Sequence, residues 1–532
     1  MDTLRQDLQY AVRSLRQRPG FTTVAVLTLA LGIGVTTAMF SVVRGILLRP
    51  LPYPDSERLV TVWESSPEDA TSLDAGLISH PNFRDVKSEV SALESIALVN
   101  SANLTLIEDG AATLVHGAFI TPGLFDVFRV PLERGRDFSD AENRYQGPAV
   151  AIVSADYWRD RLGGREDVLT SSLRVGGRAH RIVGVAGAGF HYPSGADVWV
   201  PAQNDEVGCA RGCVNRWSVA RLARGASVRS ARGELAALAT RLEKEYPDTN
   251  ANTTFAVASL HAVTVGDVRP ALWILFGAVA LVLFIACANV ANLLFARGRS
   301  RESEVAVRAT LGAGGRRILR QLMTESGLLA VVGGLAGVGV ASAGVDGVLA
   351  LAPRSIPRLD EVALDPVTLV FAGLLVAVST FLFGLAPALA LARSDLSGAI
   401  RGSGRGDVHS GRVGRGRSAI IASQVALSVL LLIGAGLMIR SLVRITQAEP
   451  GFDVRGISAF RLSLPQPSYS PDDRVRLAGQ LLERLAAAPD VEEVSVMVGP
   501  PLSTVAMFGG FTRMDRPAPE PGEVPIANYR AP

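Results

Sequence analysis

Uncharged apolar runs recur five times along the chain, at Phe21 to Val43, Ala271 to Ala296, Ser326 to Val345, Val367 to Ala392 and Ser418 to Ile439. A bilayer core about 30 Å thick takes roughly 20 helical residues to cross, and each run is long enough. The pattern between the first two runs is of another kind. From Leu47 to Pro270, short apolar or alternating stretches are separated by turn residues, which predicts mixed α and β structure. There "AVAIV" reads as a strand, followed by a helix that Ser154 opens, "SADYWRDRLG". Next, "SLRVGGRAHRIVGVAG" alternates around Gly176-Gly177 as a hairpin should. Val228, Ala231, Leu235, Leu238 and Leu242 then form one face of a helix ending before Pro247. Ahead of the first run, Leu4, Leu8, Ala11 and Leu15 recur at helical spacing with Arg5, Arg13 and Arg16 off the stripe. This predicts an amphipathic helix along the inner membrane surface. The run that follows is too long for the roughly 7–15 apolar residues of a signal peptide and leads into Arg44 and Arg49, so it stays as an anchor.

Composition and charge then fix an orientation. Hydrophobic residues make up 48% of 532 and charged residues only 19%, too oily a mixture for an ordinary soluble chain. Met1 to Gly20 holds four Arg against two acids, Arg297 to Arg320 seven against two, and Arg393 to Arg417 six against two. The remainder is net acidic. Basic loops stay in the cytoplasm, so these three segments belong inside and the domain between the first two spans belongs outside. Pro353 to Pro366, with two Arg against three acids, falls outside on the same count. The fold class is a multi-span α-helical membrane protein with a mixed α/β extracytoplasmic domain and a partial internal duplication. Its parts are a cytoplasmic helix (1–20), spans at 21–46, 271–296, 326–351, 367–392 and 418–440, outer domains at 47–270 and 441–532, and cytoplasmic segments at 297–325 and 393–417.

Gly333, Gly337 and Ala341 fall four apart in the third span, a small-residue stripe that lets another helix approach closely. Pro387 should kink the fourth span. None of the five apolar runs holds an Asp, Glu, Lys or Arg, which argues against an ion-coupled carrier. Asn289 and Asn292 are read as interhelical contacts rather than a substrate site, and Gln424 in the fifth run is also polar. Cys209 and Cys213 lie outside the cytoplasm on this topology, where they read as a local disulfide or as two free thiols; a zinc site lacks a second ligand pair. Cys287 reads as an apolar packing residue. The six His are scattered, and the outer domain offers no convergent nucleophile, base or metal ligands, so a membrane-anchored enzyme is the weakest reading.

The most specific stretch is "ARGRSRESEVAVRATLGAGGRRILRQLMTES", Ala296 to Ser326. Glu304 and Arg308 stand four apart on a helix, "GAGG" breaks it, and a new helix starts near Arg316. On physical grounds this is either a rigid lever across the membrane face or an Arg-rich phospholipid patch. This segment, with "VGDVRPALWILFGAVALVLFIACANVANLLFARGRSR" and "FGLAPAL", resembles the FtsX-type permease domain of MacB-like ABC transporters. "GAFITPGLFDVFRVPLERGRDF" and "FHYPSGADVWVP" resemble the MacB-type periplasmic core domain. The opening "DLQYAVRSLRQRPGFTTVAVLTLALGIG" and the two-copy layout are similar to duplicated orphan permeases. The resemblance implies a permease subunit in the bacterial inner membrane whose coupling segment, with Glu304, Arg308, Gly312, Ala313, Arg316 and Arg320, docks on a cytoplasmic ABC ATPase of a separate chain. It further implies export or extraction of a hydrophobic or peptide-like molecule, a homodimer or a pseudo-dimer of two halves, a periplasmic adaptor and contact with membrane lipid. It calls for no cofactor, metal or nucleic acid. The alternative is FtsX-like mechanical signalling or antibiotic-peptide sensing without transport.

Lys87 and Lys244 are the only lysines, and Val86 and Glu243 precede them where a phosphate-binding P-loop requires Gly. ATPase activity is therefore expected only in a partner. Gly414 to Ile445 restates the basic stretch, span and Arg-bearing exit of Arg16 to Arg49, with Arg440 answering Arg44. Arg401 to Arg417 is the linker between halves. A second outer domain begins at Glu449 and stops near the point that His116 to Thr121 hold in the first copy, so the chain is expected to be a partial product with Glu449 to Pro532 poorly ordered.

Overall fold

The computed structural model describes residues 2–69, 76–108, 111–203, 211–299, 315–353, 356–392, 410–447, 456–460, 462, 469–497, 507–510 and 526–529. They fall into two compact units, one of Met1–Arg49 with Asp267–Glu449 and one of Pro50–Gly266 with Pro450–Pro532.

The chain starts with α1 (Asp2–Arg16) and α2 (Pro19–Val43). Proline lacks an N–H and pre-sets a helical φ, so Pro19 opens α2, and the residue before it is pushed out of the helical region. Arg18 accordingly sits at φ −133°, ψ 73°, and the two helices are separate. The last turn widens into a π-helical turn, Arg44–Leu48, before the chain leaves the first unit.

In the second unit the strands are β1 (Leu59–Ser65), β2 (Ile78–Ser79), β3 (Leu93–Glu108), β4 (Ala111–Ile120), β5 (Leu132–Gly135), β6 (Val150–Val153), β7 (Ser172–Val175), β8 (Arg178–Ala186), β9 (Val198–Pro201), β10 (Val214–Leu222) and β11 (Thr254–Ser259). They form one sheet of order β11-β1-β10-β3-β4-β9-β6-β8-β5, with β2 on β10 and β7 bridging β3 and β8. Pairing is antiparallel except for β4 with β9 and β6 with β8. The helices are α3 (His80–Glu89), α4 (Leu124–Phe128), α5 (Asp140–Asn143), α6 (Ala155–Asp160), α7 (Val228–Glu245), α8 (Pro247–Asn250) and α9 (Leu260–Val265).

Local sequence explains several of these directly. Gly176 and Gly177 both take positive φ, 60° and 85°, as a two-residue hairpin turn requires, and Val175 pairs with Arg178 across it. Ser154 caps α6 by accepting the Tyr157 N–H, and its hydroxyl also donates to Asp197 at 2.8 Å. Ala231, Leu235, Leu238 and Leu242 of α7 are buried against β-sheet residues such as Val60, Val62 and Leu98. The family-like stretches "FHYPSGADVWVP" and "GLFDVF" prove to be core: the rings of Phe190 and Trp199 lie 5.5 Å apart, both beside Phe125, and Trp199 Nε1 donates to the Tyr192 carbonyl.

Glu142 shows the electrostatics of this unit. Its side chain is buried, receives both Nη atoms of Arg136 at 2.7 and 2.9 Å, and closes a capping box with Ser139. The Arg136 fork, helped by the Ser139 N–H and hydroxyl, lowers its carboxyl to about 2 from the usual 4.5. A carboxylate lowered on folding stabilises fully above its unfolded value and loses that contribution as the pH falls through the folded one. Acidification from about pH 4.5 toward 2 should therefore weaken this unit, and Glu142→Gln should flatten that part of the profile while costing about 2 kcal/mol at neutral pH. Tryptophan fluorescence of the full chain during acid titration reads both effects, because Trp158 and Trp199 are buried in this domain.

Back in the first unit, the chain continues as α10 (Arg269–Arg299), α11 (Gly315–Leu351), α12 (Pro366–Ala392) and α13 (Ser410–Thr446). Among the described residues, five helices are long and apolar enough to cross a membrane: Pro19–Leu48, Arg269–Leu294, Arg320–Leu351, Pro366–Gly384 and Ile421–Thr446. The bundle core gathers Leu29, Ile33, Leu283, Cys287 and Phe383. α12 is helical through Pro387. α13 has Arg415 where the repeat would place Pro19, and it runs unbroken where α1 and α2 separate. In the second unit, α14 (Pro471–Ala486) carries its own capping box between Ser470 and Asp473, and β12 (Met507–Gly510) pairs with β13 (Ile526–Tyr529).

α1 departs from the sequence expectation in one respect. Ala11 and Leu15 of its apolar stripe are buried within the protein, Leu15 inside the bundle core, so that stripe packs on helices while Leu8 is 41% exposed. Spacing reveals an apolar face; it does not say whether lipid or protein covers it.

Candidate functional site

Three places along the bundle tie its helices together. In the middle, α2 and α11 meet nearly backbone to backbone. A Cβ built on Gly34 would come within 2.7 Å of both the Gly337 carbonyl and the Val340 Cβ, and one on Gly333 within 2.7 Å of the Leu29 Cβ. Ala341, one turn further along the stripe, is fully buried. Such proximity maximises dispersion contact between helices that gain no hydrophobic advantage over lipid.

At the end that the charge pattern assigns to the outside, the turn after α2 is clamped to the segment between α11 and α12. Arg44 approaches Asp365 Oδ2 through Nε at 2.7 Å and Nη2 at 2.6 Å, while Asp365 Oδ1 accepts the N–H and hydroxyl of Thr368, capping α12. The Arg44 guanidinium, with the Thr368 bonds behind it, lowers the Asp365 carboxyl to about 2. Ser41 donates to the Ala363 carbonyl at 2.9 Å. Arg358, with a side chain only 6% exposed, gives both forks to Glu361 at 2.9 and 2.8 Å and donates from Nη1 to the carbonyls of Arg49 at 2.7 Å and Ile46 at 3.2 Å. Its backbone takes φ 59°, a left-handed conformation that side chains rarely adopt. Arg49 stands 3.8 Å from Glu361.

At the end that the charge pattern assigns to the inside, Arg320 Nε donates to Asp7 Oδ2 at 2.8 Å, joining α11 to α1. Of the residues that the sequence assigned to the coupling segment, Arg320 is thus engaged within the chain. Arg316 lies in the first turn of α11, and Glu304, Arg308, Gly312 and Ala313 lie outside the described residues. Between α13 and α10, Gln424 Nε2 donates to Asn289 Oδ1 at 2.6 Å, an interhelical amide bond, while Asn292 Oδ1 is buried without a hydrogen-bond partner.

The outer clamp was not found by sequence reasoning. Arg44 and Arg358 each find partners across more than three hundred residues, and the only trace was the charge count of Pro353 to Pro366. In the second unit, Cys213 is disulfide-bonded and Cys209 lies outside the described residues. Cys287, in the first unit, is a buried free thiol. Next to Cys213, Arg211 donates to Asn82 at 2.7 Å and Asp85 at 2.5 Å and covers the Tyr246 ring at 3.8 Å, anchoring the loop to α3. Among the described residues no group of three or more His, Cys, Asp or Glu is placed to hold a metal ion.

Residues 22–238 match the MacB-like periplasmic core domain, and residues 276–396 match the FtsX-like permease C-terminal domain. The chain is 25% identical over 399 residues to the macrolide export ATP-binding/permease protein MacB of Rhodospirillum rubrum, covering 73% of this chain and 59% of that one. It is 26% identical over 278 residues to the pyoverdine export ATP-binding/permease protein PvdT of Pseudomonas syringae pv. tomato, covering 51% and 40%. A shorter stretch of 125 residues is 38% identical to PvdT of Pseudomonas fluorescens, 23% of this chain and 18% of the relative. The chain thus spans between 18% and 59% of the length of these relatives. Among solved structures, the periplasmic region of MacB from Actinobacillus actinomycetemcomitans is similar at 13% identity and TM-score 0.30, over 43% of this chain and 95% of that one. The extracellular domain of the noncanonic ABC-type transporter YknZ is similar at 15% identity and TM-score 0.28, over 38% and 99%. Carrying both a MacB-like periplasmic core domain and an FtsX-like permease domain, this chain belongs to the MacB-like, FtsX-type family of ABC transporter permeases.

Proposed function

We propose that this chain is the permease subunit of an ABC-type assembly in which ATP hydrolysis by a separate cytoplasmic subunit moves the membrane helices, and through them the sheet domain, to export a hydrophobic or peptide-like molecule. On this reading the protein sits in the bacterial inner membrane with its N-terminus and segment 297–325 in the cytoplasm and the sheet domain in the periplasm. Pairing with a second copy and recruitment of a periplasmic adaptor belong to the same proposal. The relatives named for macrolide and pyoverdine export support the transport reading.

The observation that carries the proposal is the continuity of α11. Its 37 residues make a single rod about 55 Å long. The rod is tied to α1 at Arg320, gripped by α2 at Gly333 and Gly337, and followed by the loop that Arg44 and Arg358 hold. A push at the inner end reaches the turn through which the chain enters the sheet domain by way of helix, backbone contact and charged clamp alone. Affinity purification of the chain from its native membrane, with mass spectrometry for P-loop ATPases, tests this. A stoichiometric ATPase is expected, and Arg308→Glu should abolish its co-purification while leaving membrane insertion intact. An Arg308→Glu protein that retained the ATPase would move segment 297–325 to lipid binding, and a wild-type chain that captured none would sink ATP coupling.

A further inference from the structure

The face of α1 turned away from the bundle carries Arg5, Leu8, Gln9, Val12, Arg13 and Arg16, all of them exposed. The opposite face is spoken for: Ala11, Ser14 and Leu15 are buried, and Asp7 is held by Arg320 at 2.8 Å. α1 therefore cannot roll, and its one acid near the middle of the helix points away from this exposed face. What remains is an arc on which three guanidinium groups alternate with two aliphatic side chains, Leu8 at 41% and Val12 at 38% exposure. Two residues, Gln17 and Arg18, separate this helix from the start of the α2 span, so the arc lies at the membrane boundary.

We propose that this arc binds the headgroup of an acidic glycerophospholipid, its phosphodiester between Arg5, Arg13 and Arg16 and the upper part of an acyl chain against Leu8 and Val12. A guanidinium presents a planar fork that matches phosphate oxygens in pairs, is weakly hydrated and stays charged at every relevant pH. The aliphatic pair favours a lipid over a soluble anion, and the boundary position favours it over a cytoplasmic protein. A lipid in this place would also brace the Asp7–Arg320 tie from behind, holding α1 on α11. The inference uses only the geometry of α1 and does not depend on ATP coupling.

Native mass spectrometry of the full chain in mild detergent, titrated with phosphatidylglycerol or phosphatidylcholine, tests it. With about 1 kcal/mol from each basic residue near an anionic surface, phosphatidylglycerol should be retained at least tenfold better than phosphatidylcholine. R5Q/R13Q/R16Q should lose that preference and R5K/R13K/R16K should keep most of it, while Arg241→Gln in the sheet domain should leave it unchanged. Should the triple glutamine variant fail to fold, each single glutamine variant is expected to lower the preference by roughly fivefold. Equal retention of the two lipids by the wild-type chain, or an undiminished preference in the glutamine variants, would overturn the proposal. So would a triple variant that kept its lipid preference but lost a co-purifying ATPase, which would mark the arc as a protein-docking surface.

Discussion

Gly34→Val should drive α2 and α11 apart and cost the membrane unit its folded bundle. The added Cβ alone would sit 2.7 Å from the Gly337 carbonyl and 2.7 Å from the Val340 Cβ, and valine brings two methyl groups more. Overpacking an ordinary core costs about 1–3 kcal/mol, because neighbouring side chains give way. Here one of the atoms met is backbone, inside a helix that Val376 of α12 crowds at Gly334, so relief requires moving a whole helix. A loss above about 3 kcal/mol is expected, seen as a collapsed melting transition and aggregation in size-exclusion chromatography of detergent-solubilised protein. Gly339→Val supplies the control, since nothing lies within 4 Å of a Cβ at that position on the same α11. A Gly34→Val protein that melted like the wild type would show that the two helices do not cross here.

Arg358→Ala should release the outer clamp. The substitution removes four hydrogen bonds, two to Glu361 and two to the carbonyls of Ile46 and Arg49. It leaves Glu361 with Arg49 at 3.8 Å and the end of the π-helical turn with unpaired carbonyls. Losing one partner of a largely buried, charge-assisted cluster costs about 3 kcal/mol. The amides of 44–49 should then exchange with deuterium on the order of a hundredfold faster, at about 1.4 kcal/mol per decade. Arg358→Gly makes the result diagnostic. It removes the same bonds but relieves the left-handed backbone, which costs a side chain roughly 1 kcal/mol, so it should be milder than alanine. Arg358→Lys keeps the charge and loses the fork, and should fall between alanine and wild type. Unchanged exchange in the alanine variant would remove the clamp from any account of how motion crosses the membrane.

The contrast between what could and could not be read from the sequence follows the range of the interactions. The five spans, the Ser154 cap, the Gly176-Gly177 turn and the end of α7 before Pro247 each depend on residues within a few positions of one another. Length, capping chemistry and φ preference are written locally. The outer clamp depends on Arg44 finding Asp365 and Arg358 finding Ile46, pairings that no local pattern marks. The same holds at the inner end, where the stripe of α1 was plain but its partner was not. Two lone substitutions in the pattern carry more than the pattern itself: Pro19 separates α1 from α2, and Arg415 in the matching place lets α13 run through. For the coupling segment, Glu304, Arg308, Gly312 and Ala313 lie outside the described residues, and Arg320 is tied to Asp7.

The two helices of that comparison also live under different constraints. α2 buries glycine, alanine and threonine along most of its length, whereas no described residue of α13 is buried, and Gln424 joins it to Asn289 by an amide hydrogen bond. Mutation should therefore meet unequal resistance along the chain. In α13 nearly any exchange among Leu, Ile, Val and Phe leaves the packing within this chain unchanged, so drift there is free in identity and bound only in oiliness. In α2 a single added methyl at Gly34 is a steric event, and lineages descending from this chain should keep its buried small residues while rewriting the other helix.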